Sequence, residues 1–153
     1  MVTQAEQQLG CVVCELLSGR GDPQSLGPGT LVAYCDDELI ALLRPGRPGV
    51  LIAPHQHVGT LSALPGNAAD FLAALRQTVT EVQHTYGTTG AMIEPSTDVA
   101  WAPGHICFCV VPTQREASKP REVDMMALAR RLTAMLQDRH TPRGLRATTT
   151  TTP

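Results

Sequence analysis

The chain has 153 residues, 42% of them hydrophobic and only 3% aromatic, with a formal net charge of −2. This suits one soluble domain with a core of Leu, Val, Ala, Ile and Met, and it excludes a membrane span, because no apolar run approaches the ~18 residues a crossing needs. Residues 115–146 hold eight of the twelve Lys/Arg and four of the fourteen Asp/Glu; lacking interleaved aromatics, that basic segment reads as a solvated helix face and not as a nucleic-acid surface.

The first ten residues, "MVTQAEQQLG", lack the basic-then-apolar pattern of a secretory signal, so a cytoplasmic location is expected. Residues 5–18 suggest a short helix or turn carrying Cys11 and Cys14. After a Gly/Pro-rich loop, "TLVAYC" and "LIALLRP" are two apolar runs joined by Asp36, Asp37 and Glu38, a hairpin signal. The three acids resemble a paired-carboxylate site but read more simply as solvated turn residues. Cys35, closing the first run, reads as core. "VLIAP" gives a third strand that runs out into His55 and His57.

Over 67–86 the spacing predicts a helix, with Asn67 as cap and Asp70 in the first turn. Phe71, Leu72, Leu75, Val79, Val82 and Tyr86 share its apolar face, and Gly87 ends it. His84, late in this helix, reads as exposed. "GAMIEP" and "HICFCVVP" give a fourth and a fifth strand. A second helix, about 121–138, starts after Pro120 and groups Met125, Leu128, Leu132, Met135 and Leu136. Residues 1–139 are expected to form a single domain, and the Thr-rich stretch 140–153 to be disordered. The order is an antiparallel meander with a helix between its third and fourth strands, an α+β fold.

Five cysteines without an export signal argue against a disulfide framework and for metal or thiol chemistry. The spacing Cys11-x-x-Cys14 lets two thiolates hold one tetrahedral Zn²⁺, and it equally suits a redox dithiol. A zinc site needs two more ligands. His55, His57 and His105 are candidates, far enough apart in sequence that the fold must bring them together. In "HICFCVV", His105, Cys107 and Cys109 alternate with Ile106, Phe108 and Val110, so an extended strand puts one nitrogen and two sulfurs on one face.

From about residue 10 to 114 the chain resembles the histidine triad (HIT) family, itself distantly related to galactose-1-phosphate uridylyltransferases. The likeness rests on the C-x-x-C pair, on "YCDDELIALL", on "LIAPHQHV" in place of hydrophobic-Pro-x-x-His, on the helix of 67–86, and on "HICFCVV" where the family has H-φ-H-φ-H-φ-φ. The resemblance implies a HIT-like fold, about five antiparallel strands with a long helix after strand 3 and a C-terminal helix. It implies a structural zinc on Cys11, Cys14, His57 and His105, with His55 as a substitute for His57. It also implies a homodimer formed by joined sheets and packed long helices.

The departures gather at the family's chemistry. There the middle histidine attacks the α-phosphorus of a nucleotide and forms a covalent intermediate; here the middle and third positions are Cys107 and Cys109. The Gly-Gln-Ser run that contacts phosphate is replaced by Ala100, Trp101 and Ala102. The Asn-rich end of the fourth strand becomes "IEPS", where Glu94 repels a phosphate. The candidate ligand cleft is therefore bordered by Glu94, Ser96, Trp101 and Ala102.

Three readings follow. In the first, a zinc-binding HIT-like protein has lost nucleotidyl hydrolase activity, Cys107 and Cys109 fill space as small hydrophobes, and the cleft takes a small molecule, a nucleotide-like ligand or a protein partner. In the second, a hydrolase or transferase uses Cys107 as a metal-activated nucleophile. In the third, Cys107 and Cys109 serve a metal or redox module. A disulfide between them needs a distorted strand, because same-face neighbours lie about 6.5–7 Å apart at Cα. The Ala/Arg/Pro/Gly bias suits a high-GC bacterial genome.

Overall fold

In the computed structural model the described residues are 10–64, 68–96, 100–113 and 124–139. The elements run α1 (Val12–Leu17), β1 (Leu31–Cys35), β2 (Leu39–Leu43), β3 (Val50–Pro54), α2 (Ala68–Tyr86), β4 (Ala91–Ser96), β5 (Cys107–Pro112) and α3 (Met125–Asp138). The five strands form one antiparallel sheet in the order β1-β2-β3-β5-β4. The class is α+β as expected, but the sheet is not a plain meander, since β5 lies between β3 and β4. The residues account for that order. β4 carries Pro95 and exposes Met92 and Ile93, and a proline that cannot donate to a ladder belongs on an edge.

β2 and β3 are buried along their whole length, as continuous apolar runs are when both sheet faces are covered. On one face Leu39, Ala41, Leu43, Ile52, Phe108 and Val110 pack with the buried residues of α2 and α3. On the other, Ile40, Leu42, Leu51, Ala53 and Cys107 pack with Cys11 and Val13 at α1. Gly49, at the entry to β3, has φ +96°, and a Cβ there would meet the Val110 carbonyl oxygen at 2.0 Å. Only glycine lets β3 enter this close to β5.

α2 buries Phe71, Ala74, Leu75, Thr78 and Val82, a stripe at helical spacing. Leu72, expected on that face, lies about 100° round the axis from Phe71 and is exposed. Thr78 sits in the core because its hydroxyl donates to the Ala74 carbonyl. The helix ends at Gly87, φ +65°, where the Thr88 N–H returns to the Gln83 carbonyl at 3.0 Å. His84 is exposed as expected; the Asn67 cap lies outside the described residues.

α3 starts at Met125 because the Asp124 carboxylate accepts from the N–H groups of Met126 (2.9 Å) and Ala127 (3.1 Å). The earlier start after Pro120 falls on residues outside those described, as does the tail 140–153. Leu128, Leu132 and Leu136 form its buried stripe, with Met125 and Met135 packed beside it.

Two further expectations are corrected. Between Val32 and Tyr34 the pairing of β1 with β2 slips by a residue, a bulge that turns both Ala33 and Tyr34 inward. Cys35 is thereby an exposed thiol and not part of the core. The acidic turn is also more than solvated. Asp36 Oδ1 accepts from the N–H groups of Glu38 (2.8 Å) and Leu39 (2.9 Å), while Oδ2 accepts from the Tyr34 hydroxyl at 2.8 Å. Arg139, at the end of α3 and only 7% exposed, pairs with Asp36 at 2.6 Å and with Glu38 at 3.2 Å. Only Asp37 remains a plain exposed turn residue. Among the described residues no helix is long and apolar enough to cross a membrane.

Removing the cation that clamps α3 to the β1–β2 turn leaves two partly buried carboxylates facing each other. Arg139→Ala is expected to lower the unfolding free energy by about 2–3 kcal/mol, read from urea midpoints. A loss below about 0.5 kcal/mol would assign the clamp to the class of surface pairs that contribute almost nothing.

Candidate metal centre and the cleft beside it

Four side chains from three separated segments converge at one corner of the sheet. Cys11 precedes α1 and Cys14 lies one turn into it, His57 follows β3, and His105 precedes β5. Their ligating atoms all lie within 4.8 Å of one another. His105 and Cys107 bracket the start of β5, which is later than the predicted strand: the His105 N–H turns back to the Ala102 carbonyl (3.1 Å) and the ladder takes over only beyond it. Two backbone bonds hold the corner together. The Val12 N–H donates to the Trp101 carbonyl and the Ile106 N–H to the Val58 carbonyl, each at 2.7 Å.

The rings are oriented for ligation through Nδ1. The His105 Nε2–H donates to the Pro54 carbonyl at 2.8 Å, which leaves Nδ1 with its lone pair, 3.4 Å from Cys11 Sγ and 3.5 Å from Cys14 Sγ. His57 Nδ1 lies 3.2 Å from Cys14 Sγ, and the two rings meet edge to face with centroids 4.9 Å apart. The buried His57 Nε2 has no hydrogen-bond partner among the described residues. A tetrahedral centre with bonds of about 2.3 Å to sulfur and 2.0–2.1 Å to nitrogen has sulfur–nitrogen edges of about 3.5 Å. The three sulfur–nitrogen separations above are close to those edges and all the donor atoms lie within 4.8 Å of one another, so the four residues fit a metal ion. His55 is not among them; its Nδ1–H donates to the Asp36 carbonyl at 3.2 Å.

The thiol pair is poised to release a proton. Donation from the Cys14 S–H draws the Cys11 thiol down to about 4, against the upward push of burial and with help from His105. The same bond holds Cys14 up, with burial and the Cys11 charge adding to it. Two residues along from His105, Cys107 is fully buried. Burial, then the neighbouring Cys11 and Cys109 sulfurs, pushes its thiol up to about 12, with Arg44 pulling the other way. Its Sγ lies 3.6 Å from the His105 carbonyl, to which it donates.

Cys109, one step further on the same face, is only partly buried and borders a pocket of about 210 Å³ that Glu94 also lines. Trp101 packs at the edge of this face, while Ala102 is fully buried beneath it and so offers no surface to a ligand. The Ser96 backbone pairs with Cys107; its side chain lies outside what is described. Arg44 and Arg47 also line the pocket. The sequence shows Arg44 as nothing more than the end of an apolar run. The available signal was its parity with Leu42, which puts a charge on the same strand face as the cysteines once β2, β3 and β5 are in register.

No family model matches the sequence, and no curated protein matches it. Solved structures do match. A Zn-bound histidine triad family protein from Mycobacterium smegmatis shares the architecture at a TM-score of 0.56 and 22% identity, over 86% of this chain and 96% of that one. A HIT-like protein involved in cell-cycle regulation from Bartonella henselae gives 0.53 at 15% identity, covering 82% and 92%. A hypothetical histidine triad nucleotide-binding protein from Sulfolobus tokodaii gives 0.50 at 14% identity, covering 84% and 91%.

The burial of the thiols makes a direct prediction for the native protein. N-ethylmaleimide at neutral pH should label Cys35 and Cys109 within minutes and Cys107 only as fast as the protein unfolds, read by peptide mass. Labelling of Cys107 at the rate of Cys109 would show that this part of the strand opens freely.

Proposed function

We propose, from the histidine triad fold this chain shares with those structures, that it is a zinc-binding HIT-like protein whose nucleotide-hydrolysing chemistry has been lost and whose cleft has been remodelled. The observation that carries the reading is a contrast within four residues of β5 and its approach. At His105 the donor set is complete and oriented, whereas two residues later the position of the attacking histidine holds a sealed thiol. A zinc ion on Cys11, Cys14, His57 and His105 supplies no reactive position, because four protein donors are the closed, structural arrangement. Its contribution is to tie α1 to the exit of β3 and the entry of β5, so that binding free energy becomes folding free energy.

Steric access argues against the alternatives. A nucleophile must reach its substrate, and Cys107 is covered by α1 and the Trp101 segment. Glu94 stands where a phosphate would be repelled, and no Gly-Gln-Ser run precedes the strand. All five cysteines are free thiols, which suits a reducing, cytoplasmic compartment. The same reading makes the protein a homodimer, with the β4 edge and its exposed Met92 and Ile93 as the joining surface.

Protein purified without a histidine tag should carry about one zinc per chain, lost in Cys11→Ser and retained in Cys107→Ala. A chelator should lower the melting temperature of the wild type and leave that of Cys11→Ser unchanged. Hydrolysis of a nucleoside phosphoramidate should stay at the buffer rate. Loss of zinc from Cys107→Ala would make the strand thiol a ligand and sink the assignment, and hydrolysis abolished by Cys107→Ala would restore the nucleophile.

A further inference from the structure

Among the described residues Arg44 and Arg47 take no part in the four-donor cluster or in an ion pair. The Arg44 guanidinium lies 5.8 Å from the centre of the Trp101 ring and 3.8 Å from Cys109 Sγ. No carboxylate pairs with either arginine among the described residues. The half-buried Arg44 guanidinium thus has a ring and a thiol beside it and keeps its planar N–H fork for a ligand in the pocket it lines. Both arginines line the same pocket of about 210 Å³. Its floor is apolar: Leu42 and Leu51 are partners across β2 and β3, and Leu51 is in turn the partner of Cys109. Pro48 and Val111 add further apolar lining.

We propose that this pocket binds a small organic carboxylate, its anionic end held by Arg44 and Arg47 and its apolar body against Leu42, Leu51 and Val111, beside the Cys109 thiol. The inference deepens the remodelled-cleft reading and rests on it. Charge selects a monoanion. Two arginines facing Glu94 leave a single net positive charge, and Glu94 opposes a dianion. Donor chemistry points the same way. The lining residues supply no hydroxyl or amide side chain for the extra oxygens of a phosphate, and the Gly49 N–H is already given to the Tyr86 hydroxyl at 2.9 Å. A planar guanidinium matches a carboxylate edge, and the apolar floor accepts the carbon chain.

Cys109 makes the site readable. Iodoacetate is itself a small carboxylate, and iodoacetamide is its neutral counterpart. With either reagent the Cys109 sulfur displaces iodide from the methylene carbon, a C–S bond replaces the C–I bond, and the thiol proton passes to buffer. The neutral reagent is ordinarily the faster. At Cys109 the order should reverse, while Cys35, exposed beside Asp36 and Asp37, keeps the ordinary order as an internal reference.

Arg44→Gln should lower the iodoacetate-to-iodoacetamide rate ratio at Cys109 by about tenfold and leave the ratio at Cys35 unchanged. Arg47→Gln, at an exposed position, should lower it in the same direction. Millimolar hexanoate should protect Cys109 from both reagents and leave Cys35 unprotected. A Cys109 ratio equal to that of Cys35 in the wild type, or one untouched by both arginine variants, overturns the inference. Protection by inorganic phosphate in place of hexanoate overturns the carboxylate assignment. Protection by adenosine monophosphate and not by hexanoate overturns both this inference and the remodelled-cleft reading. Protection by none of the three overturns this inference alone.

Discussion

Everything at the functional face depends on where β5 sits. Held between β3 and β4 by ladders on both sides, it must present alternate residues to opposite faces of the sheet. Phe108 and Val110 go to the helices; Cys107 and Cys109 go to the side capped by α1. A register slip of one residue would exchange the two sets, burying sulfurs under α2 and aiming Phe108 at the metal corner. The contact between Phe108 and Phe71, with ring centroids 5.6 Å apart, and the approach permitted by Gly49 oppose such a slip.

With that register fixed, the cysteine face divides along its length into two chemical environments. At the start of β5 the surroundings are mostly buried. Cys11, His57 and His105 are buried under α1, the Trp101 segment and the exit of β3, Cys14 is partly buried, and the four donors share a space that a metal ion fits. At the other end, beyond Cys107, the face opens toward the β2–β3 turn, where positive charge gathers from Arg44 and Arg47. Cys107 stands between the two as a barrier, with its sulfur buried and its proton held by desolvation.

Local pattern made much of this legible. The strands, the long helix with its glycine stop and the alternation in "HICFCVV" are consequences of side-chain period and cap chemistry, which operate over a few residues. The errors fell where neighbours in space overrode period. The bulge in β1 exposed Cys35, and Arg139 drew Asp36 and Glu38 out of a merely solvated turn; Leu72 lies at the margin of the apolar stripe of α2, and burial stops short of it. The first needs a slip in pairing and the second a partner about a hundred residues away, and neither leaves a mark in the local pattern.

The donors and the faces could be read from residue order alone: which residues can hold a metal, and that one histidine and two thiols share a side of one strand. Periodicity suffices for that, because the direction of a side chain in a strand is set by its own backbone. The resemblance favoured His57 over His55, and the packing of the exit of β3 against α1 and β5 brings it to the other three donors; that Cys107 is sealed while Cys109 is reached, and that Arg44 stands beside that thiol, was visible only in the fold. Those facts depend on which segments pack over which. Packing is settled by the burial of the whole apolar surface at once, through contacts such as that of Cys11 with His105, 94 residues apart in the chain.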